Sequence, residues 1–228
     1  MTTPTPAPAG AAPSAACGCA PAIPDDADAV IFDFDGTLAD TTARYEHALR
    51  TALNEFGVEL DPAWYRRHLG LSIHDLLAQH PGTGGLPHEE IVRLSRARLL
   101  ATVRTLTPNP CVLALLRAAR QTGLACAVAS GAVRVLLEPG IAALGLTREL
   151  PVVVARDDVA CGKPAPDLYL TAARKLGIPP RRCLAVDDAP DGIAAARTAG
   201  MRVIEVRDGH LSPTDTGAVP SRPRQQGA

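Results

Sequence analysis

Neither sign of charge dominates this chain. Its 228 residues carry 23 basic and 24 acidic side chains, for a formal net charge of −1, and that balance points to neither a nucleic-acid nor a membrane-surface partner. No apolar run approaches the ~18–20 residues that a bilayer span needs. The first 27 residues are mostly Ala, Pro, Thr, Gly and Ser, and the first basic residue is Arg44. With no basic segment and no continuous apolar stretch they are not a secretory signal, and they are expected to be a disordered arm. The tail from about Gly209 is expected to behave the same way. Six cysteines do not form a disulfide framework in a chain of this size. Cys126 and Cys183 fall inside apolar strand patterns as small hydrophobes, and the lone Cys17-x-Cys19 lacks the second pair that a metal site needs. The expectation is a reduced, cytoplasmic protein, one globular unit with a modest second domain. No internal repeat is visible.

Five short apolar runs are present: Ala29–Asp33, Leu124–Ser130, Val152–Ala155, Cys183–Asp187 and Arg202–Val206. Helix-period segments separate the last four, which predicts an α/β fold, a doubly wound parallel sheet with helices on both faces. The runs are continuously apolar, as strands buried on both sides should be. Pro110 to Arg120, closed by Gly123, and Asp167 to Lys175, closed by Gly177, predict two of the helices. Ala132 to Leu144 is also helical in pattern, but Pro139-Gly140 predicts a kink or two short helices there. Some ninety residues separate the first two strands, far more than one crossover requires. They contain a stripe from Tyr45 to Phe56, a start at Asp61-Pro62, a capping box at Ser72 to Asp75, and a long helix from Pro87 to about Arg104. The expected organisation is a core of residues 28–40 and 108–208 with a small helical cap, 41–107, inserted over the strand ends, between the arm 1–27 and the tail 209–228.

The first run ends in "DFDGTLADT". Residues two apart on a strand share a face, so Asp33 and Asp35 can point the same way, and one would take up a proton unless a cation lay between them. In open α/β sheets ligands bind beyond the carboxyl ends of the strands. The other ends supply Ser130 in "AVASGA", Lys163 in "CGKPAPDLY", and Asp187-Asp188 in "LAVDDAPDG". Lysine is the scarce residue here: the chain has 21 arginines and only Lys163 and Lys175, so a lysine beside this crevice is unlikely to be chance.

These four motifs, in this order, resemble the haloacid dehalogenase-like (HAD) hydrolases, in the subgroup whose helical cap lies between the first and second motifs. The resemblance spans roughly residues 28–208. It implies an aspartyl-phosphate on Asp33 as nucleophile and Asp35 as general acid, then base. Thr37 would buttress the loop, Gly36 would permit its turn, and Ser130, Gly131 and Lys163 would hold phosphoryl oxygens. Asp33, the Asp35 carbonyl and Asp188 would ligate Mg²⁺, with Asp187 close behind. The physics agrees, since a phosphate dianion cannot approach a carboxylate unless positive charge offsets it. Asp191 reads as a residue capping the helix that follows.

Within that family, single residues separate the branches. Asp35 stands where carbon–halogen cleavers usually carry Tyr, which argues against dehalogenation. The cap has no Lys for a Schiff base, which excludes phosphonoacetaldehyde-type chemistry. The cap segment "GLSIHDLL" resembles that of β-phosphoglucomutases, but Ile73 stands where an Arg would grip a second phosphate, with Arg66 and Arg67 as the remaining candidates for that task. The favoured reading is a phosphatase of a small phosphorylated metabolite, a sugar phosphate first and phosphoglycolate second. Arg44, Tyr45, Arg66, Arg67, His68, Ser72 and His74 are the cap's polar candidates for the leaving group, and Arg66 and Tyr45 lead them. Cap histidines show no ligand spacing. A monomer or weak homodimer is expected, and a non-catalytic phosphate-binding protein is the alternative from another class.

Overall fold

The computed structural model describes residues 23–68 and 71–212. The expected arm up to residue 22 with Cys17 and Cys19, Gly70 of the cap segment, and the tail from 213 lie outside the described residues.

The chain opens with β1 (Ala29–Phe32), which becomes the centre of a six-stranded sheet. Two short strands, β2 (Ala39–Asp40) and β3 (Thr107–Pro108), pair antiparallel and bracket a helical insertion. β4 (Ala125–Ala129), β5 (Val152–Val154), β6 (Cys183–Asp187), β7 (Arg202–Arg207) and β8 (His210–Leu211) follow. The sheet order is β5-β4-β1-β6-β7-β8, parallel throughout except for the antiparallel β7–β8 edge. The expected α/β fold is present, and the carboxyl ends of its five parallel strands face the same way.

Alternation along β1 explains why both faces are covered. Val30 and Phe32 face a core shared with α5 (Pro110–Gln121) and α6 (Arg134–Ala143), whereas Ala29 and Ile31 face α7 (Asp167–Leu176) and α8 (Pro190–Thr198). Each fully buried Val, Ile, Leu or Phe contributes about 1.5–3 kcal/mol, so the continuous apolar runs are what two covered faces demand.

The insertion between β2 and β3 contains α1 (Thr42–Asn54), α2 (Pro62–Arg67), α3 (Ile73–Gln79) and α4 (His88–Ala101), closed around its own cluster of Leu49, Leu53, Tyr65, Leu77 and Ile91. Its starts follow the sequence signals. Asp61 accepts the Ala63 N–H at 2.8 Å, and Ser72 accepts the Asp75 N–H at 3.2 Å, satisfying donors that the first helical turn leaves free.

Four expectations need correction. α6 runs unbroken through Pro139. The missing N–H costs only one bond, to the Val135 carbonyl, and Val135 lies in the exposed first turn. Ile23 packs on the core and Asp26 pairs with Arg202 at 2.6 Å, so residues 23–27 lie on the body of the protein and not in an arm. The tail does not begin at Gly209, because His210–Leu211 pair with β7 and Ser212 donates to the Glu205 carbonyl. Finally, Cys126, Cys161 and Cys183 are free thiols, but Cys111 is disulfide-bonded, so the all-reduced reading fails at that residue. Among the described residues no helix is long and apolar enough to cross a membrane.

Candidate active site

The site begins where β1 stops. The Asp33 N–H still donates to the Val186 carbonyl of β6 at 2.8 Å, and the chain then turns back through Gly36 N–H to Ala39 O at 2.8 Å and Ala39 N–H to Phe34 O at 2.9 Å. Gly36 has φ +81°, and a Cβ there would lie 2.2 Å from Asp188 Oδ2. Both the left-handed backbone and the neighbouring carboxylate therefore require glycine.

The loops after β5 and β6 close on this turn. Lys163 Nζ donates to Asp33 Oδ1 at 2.6 Å and to Asp187 Oδ2 at 2.7 Å. Asp187 is fully buried and Asp33 nearly so. Tyr169, in the first turn of α7, donates its hydroxyl to Asp187 Oδ2 at 2.5 Å, and the Ala189 N–H donates to Asp187 Oδ1 at 3.0 Å. Thr37 Oγ1 donates to Asp188 Oδ1 at 2.7 Å. Carboxylate oxygens of Asp33, Asp187 and Asp188 all lie within 4.8 Å of one another.

So many acids in one dry place disturb their protonation. Burial holds Asp33 well above the usual carboxylate range, against the pull of Lys163, and repulsion from Asp187, Asp188 and Asp35 adds to it. Burial also raises Asp188, opposed by the Thr37 hydrogen bond and helped by the Asp187 charge. Asp35 is pushed by burial up to about 6, against hydrogen bonds from Thr41 and Tyr45. Burial disfavours the Lys163 ammonium, but Asp33 and Asp187 more than offset it and hold its pKa above the normal lysine range. Four acids and one ammonium leave negative charge in excess. The three converging carboxylates are hard oxygen donors of the kind a divalent cation takes, so the residues present fit such an ion.

Of the residues singled out in the sequence, Asp33, Lys163, Asp187, Asp188 and Thr37 thus converge, with Asp35 under Tyr45. Ser130 is buried at the end of β4, beside β1, and its Oγ accepts the Ala132 N–H at 3.0 Å, a role that does not use the hydroxyl's own proton. Gly131 follows it, exposed. The cap candidates divide. Arg44 is committed to Thr105 and Thr102 at the base of the cap, at 2.8 and 2.9 Å. His68 stacks on Trp64 with ring centroids 3.9 Å apart, Ser72 caps α3, and His74 faces Glu89 at 3.7 Å. Arg66 and Arg67 are exposed on α2. Asp191 lies inside the first turn of α8 and does not cap it; Ala189 holds the cap position.

Two residues at the site escaped the sequence reading. Asn109 Nδ2 donates to the carbonyls of Gly36 at 2.9 Å and Thr37 at 2.6 Å, pinning the turn from the far side of the insertion. Tyr169 is the other; its place six residues after Lys163 in "GKPAPDLY" was the available signal. A separate cavity of about 520 Å³, lined by Arg134, Ile141, Leu150, Val152 and Lys175, lies at the β5 edge and contains none of the convergent acids.

Comparison with known proteins finds relatives along most of the chain. The chain is 36% identical to the protein CbbY of Rhodobacter capsulatus over 196 residues, covering 77% of this chain and 83% of that one. It is 33% identical to the fructose-1-phosphate phosphatase YqaB of Escherichia coli over 188 residues, covering 78% and 95%. The crystal structure of CbbY from Rhodobacter sphaeroides in complex with phosphate superimposes with a TM-score of 0.72 at 29% identity, covering 85% of this chain and 92% of that one. The sequence pattern of the haloacid dehalogenase-like hydrolases matches residues 27–200, and the chain belongs to that family.

Proposed function

We propose that the protein is a Mg²⁺-dependent phosphatase of a small phosphorylated metabolite, a sugar phosphate first, and that Asp33 is its nucleophile. The observation that carries this is the convergence of Asp33, Lys163 and Asp188 at three different strand ends, 25 to 155 residues apart in sequence but joined within one buried cluster. The similarity to a fructose-1-phosphate phosphatase supports the sugar-phosphate class.

Lys163 engages Oδ1 of Asp33, which leaves Oδ2 to attack phosphorus in line. The P–O bond to the leaving group breaks as the new P–O bond to Asp33 forms, and Asp35 gives its proton to the departing oxygen. A carboxyl with a pKa of about 6 is well placed to hold that proton near neutrality. In the second step Asp35 takes a proton from water, the water oxygen attacks phosphorus, and Asp33 is released with inorganic phosphate. Lys163, Ser130 and the Gly131 backbone hold the phosphoryl oxygens through both steps. Asp33, the Asp35 carbonyl and Asp188 would hold Mg²⁺, which when bound neutralises carboxylate and phosphate charge. The cap excludes water from the first step.

Ile73 packs on the cap's own apolar cluster and not toward a ligand, which supports a hydrolase over a mutase needing a second phosphate grip. The test is a panel of phosphorylated metabolites assayed for released phosphate with Mg²⁺ and with EDTA. We expect turnover of sugar phosphates that EDTA and Asp33→Asn both abolish. Conversion of glucose 1-phosphate to an isomer without phosphate release, or turnover surviving in Asp33→Asn, would overturn the reading.

A further inference from the structure

Lys163 needs a fixed location to act, and its location is set by a residue outside the four motifs' charged positions. Asp187 is completely buried, and its Oδ2 accepts two hydrogen bonds, one from Lys163 and one from the Tyr169 hydroxyl. The Lys163 ammonium also lies 5.3 Å from the Tyr169 ring centroid, within cation–π reach. Tyr169 is itself fully buried in the α7 face of the core, so its ring cannot swing away. A buried tyrosine could satisfy its hydroxyl on any backbone carbonyl. Here the hydroxyl goes to the carboxylate that holds the lysine. We propose that Tyr169 is a positioning residue for the phosphoryl transfer: by fixing Asp187 through its hydroxyl and facing Lys163 with its ring, it sets the ammonium against Asp33. The proposal deepens the phosphatase reading and rests on it for its kinetic half.

With the hydroxyl removed, Asp187 Oδ2 keeps one donor in a place no water reaches, and the carboxylate and ammonium are free to settle together away from Asp33. That loosens a group aimed at charge in the transition state while leaving the rest of the phosphate contacts in place. A hydrogen bond to a charged partner corresponds to about tenfold or more in rate.

The test is Tyr169→Phe, which keeps the ring and the core volume. Two readouts are taken on the full chain. The first needs no substrate. The protein contains two lysines, so ¹⁵N-lysine labelling gives two Nζ resonances, assigned with Lys175→Gln. We expect the Lys163 resonance to shift and its proton exchange to quicken in Tyr169→Phe, while that of Lys175 stays in place. The second is Mg²⁺-dependent hydrolysis of an aryl phosphate, where kcat should fall about tenfold with KM within about twofold. An unmoved Lys163 resonance overturns the proposal, and so does an unchanged kcat accompanied only by a lower Tm, which would make Tyr169 a packing residue. If wild type hydrolyses no phosphate ester, the phosphatase reading fails, and the lysine resonance alone decides whether Tyr169 fixes Lys163. Should Tyr169→Phe not fold, 3-fluorotyrosine at position 169 keeps ring and hydroxyl while changing the strength of the donor, and the same shift of Lys163 is required.

Discussion

Gly192 sits in the first turn of α8, where its backbone needs no glycine, and alanine would ordinarily favour the helix by about 1 kcal/mol. The structure predicts the opposite sign. A Cβ at Gly192 would lie 2.0 Å from Asp187 Oδ2 and 2.3 Å from its Cγ, far inside any tolerable contact. The neighbour that must move is a buried carboxylate held by Lys163, Tyr169 and the Ala189 N–H. Rotating it away forfeits at least the two bonds on Oδ2, each worth about 1.5–3 kcal/mol with a charged partner. The net effect of Gly192→Ala is then about 2–5 kcal/mol of lost stability, which lowers Tm by roughly 5–15 °C in a domain of this size. Hydrolysis should fall by more than about tenfold, because Lys163 loses its anchor. Thermal melts and phosphate release on the same preparation check both. A variant that melts at or above the wild-type temperature with full activity would refute the placement of Asp187 and everything argued from it.

The buried acids predict an unusual pH dependence. Burial lifts Asp35 from 3.8 to about 6 and raises Asp33 and Asp188 as well. The folded state therefore binds protons before the unfolded chain does, and stability rises as pH falls from above 6 toward 4, by on the order of 3 kcal/mol for Asp35. In EDTA, Tm should be higher at pH 5.5 than at 7.5, with Mg²⁺ raising the value mainly at 7.5; a Tm that climbs steadily with pH in EDTA contradicts this. Asn109→Ala removes two bonds to the Gly36 and Thr37 carbonyls and should cost about 1–3 kcal/mol, seen in urea melts, with a fall in kcat as the turn loosens. Arg66→Ala, on the exposed face of α2, should reorder the substrate panel yet leave aryl-phosphate turnover within about twofold. Equal losses on every substrate would place Arg66 outside selectivity.

Much of the site was legible because its parts are local. "DFDGTLADT" carries the end of an apolar strand, its acids and a turn glycine in one stretch, while "GKPAPDLY" and "VDDAPDG" place a lysine and an acidic pair after other strands. Strand ends of a parallel sheet must lie together, so three local patterns become one crevice without further information. Asn109 and Tyr169 were not legible in the same way. Asn109 acts on carbonyls 72 and 73 residues earlier, and a backbone carbonyl leaves no mark in a sequence. Tyr169 is also a core aromatic, and nothing in the sequence separates that task from its bond to Asp187. The Pro139-Gly140 pair misled for a similar reason. It spells a break locally, but Gly140 is there because a Cβ would strike the Phe34 ring at 2.8 Å. Packing on the aromatic residue that follows Asp33, and not helix termination, explains that glycine.

The cap was harder to read because most of its polar side chains serve the cap itself. Arg44 ties the start of α1 to Thr102 and Thr105 beyond α4, so it joins the two ends of the insertion. Ser72 begins a helix, His68 stacks on Trp64, and His88 meets the Thr83 carbonyl at 3.1 Å. Once these are accounted for, Arg66, Arg67 and Tyr45 are the candidates left for the proposed role in substrate choice. Tyr45 differs from the two arginines, because its hydroxyl already reaches Asp35 from a cap helix. A residue that contacts the proposed general acid from the cap side would join two tasks that the fold otherwise separates. In the proposed reaction the chemistry belongs to buried acids at strand ends, where one displaced carboxylate breaks several hydrogen bonds at once. Under the proposed function, selectivity falls to the exposed arginines of α2, whose replacement disturbs none of those bonds.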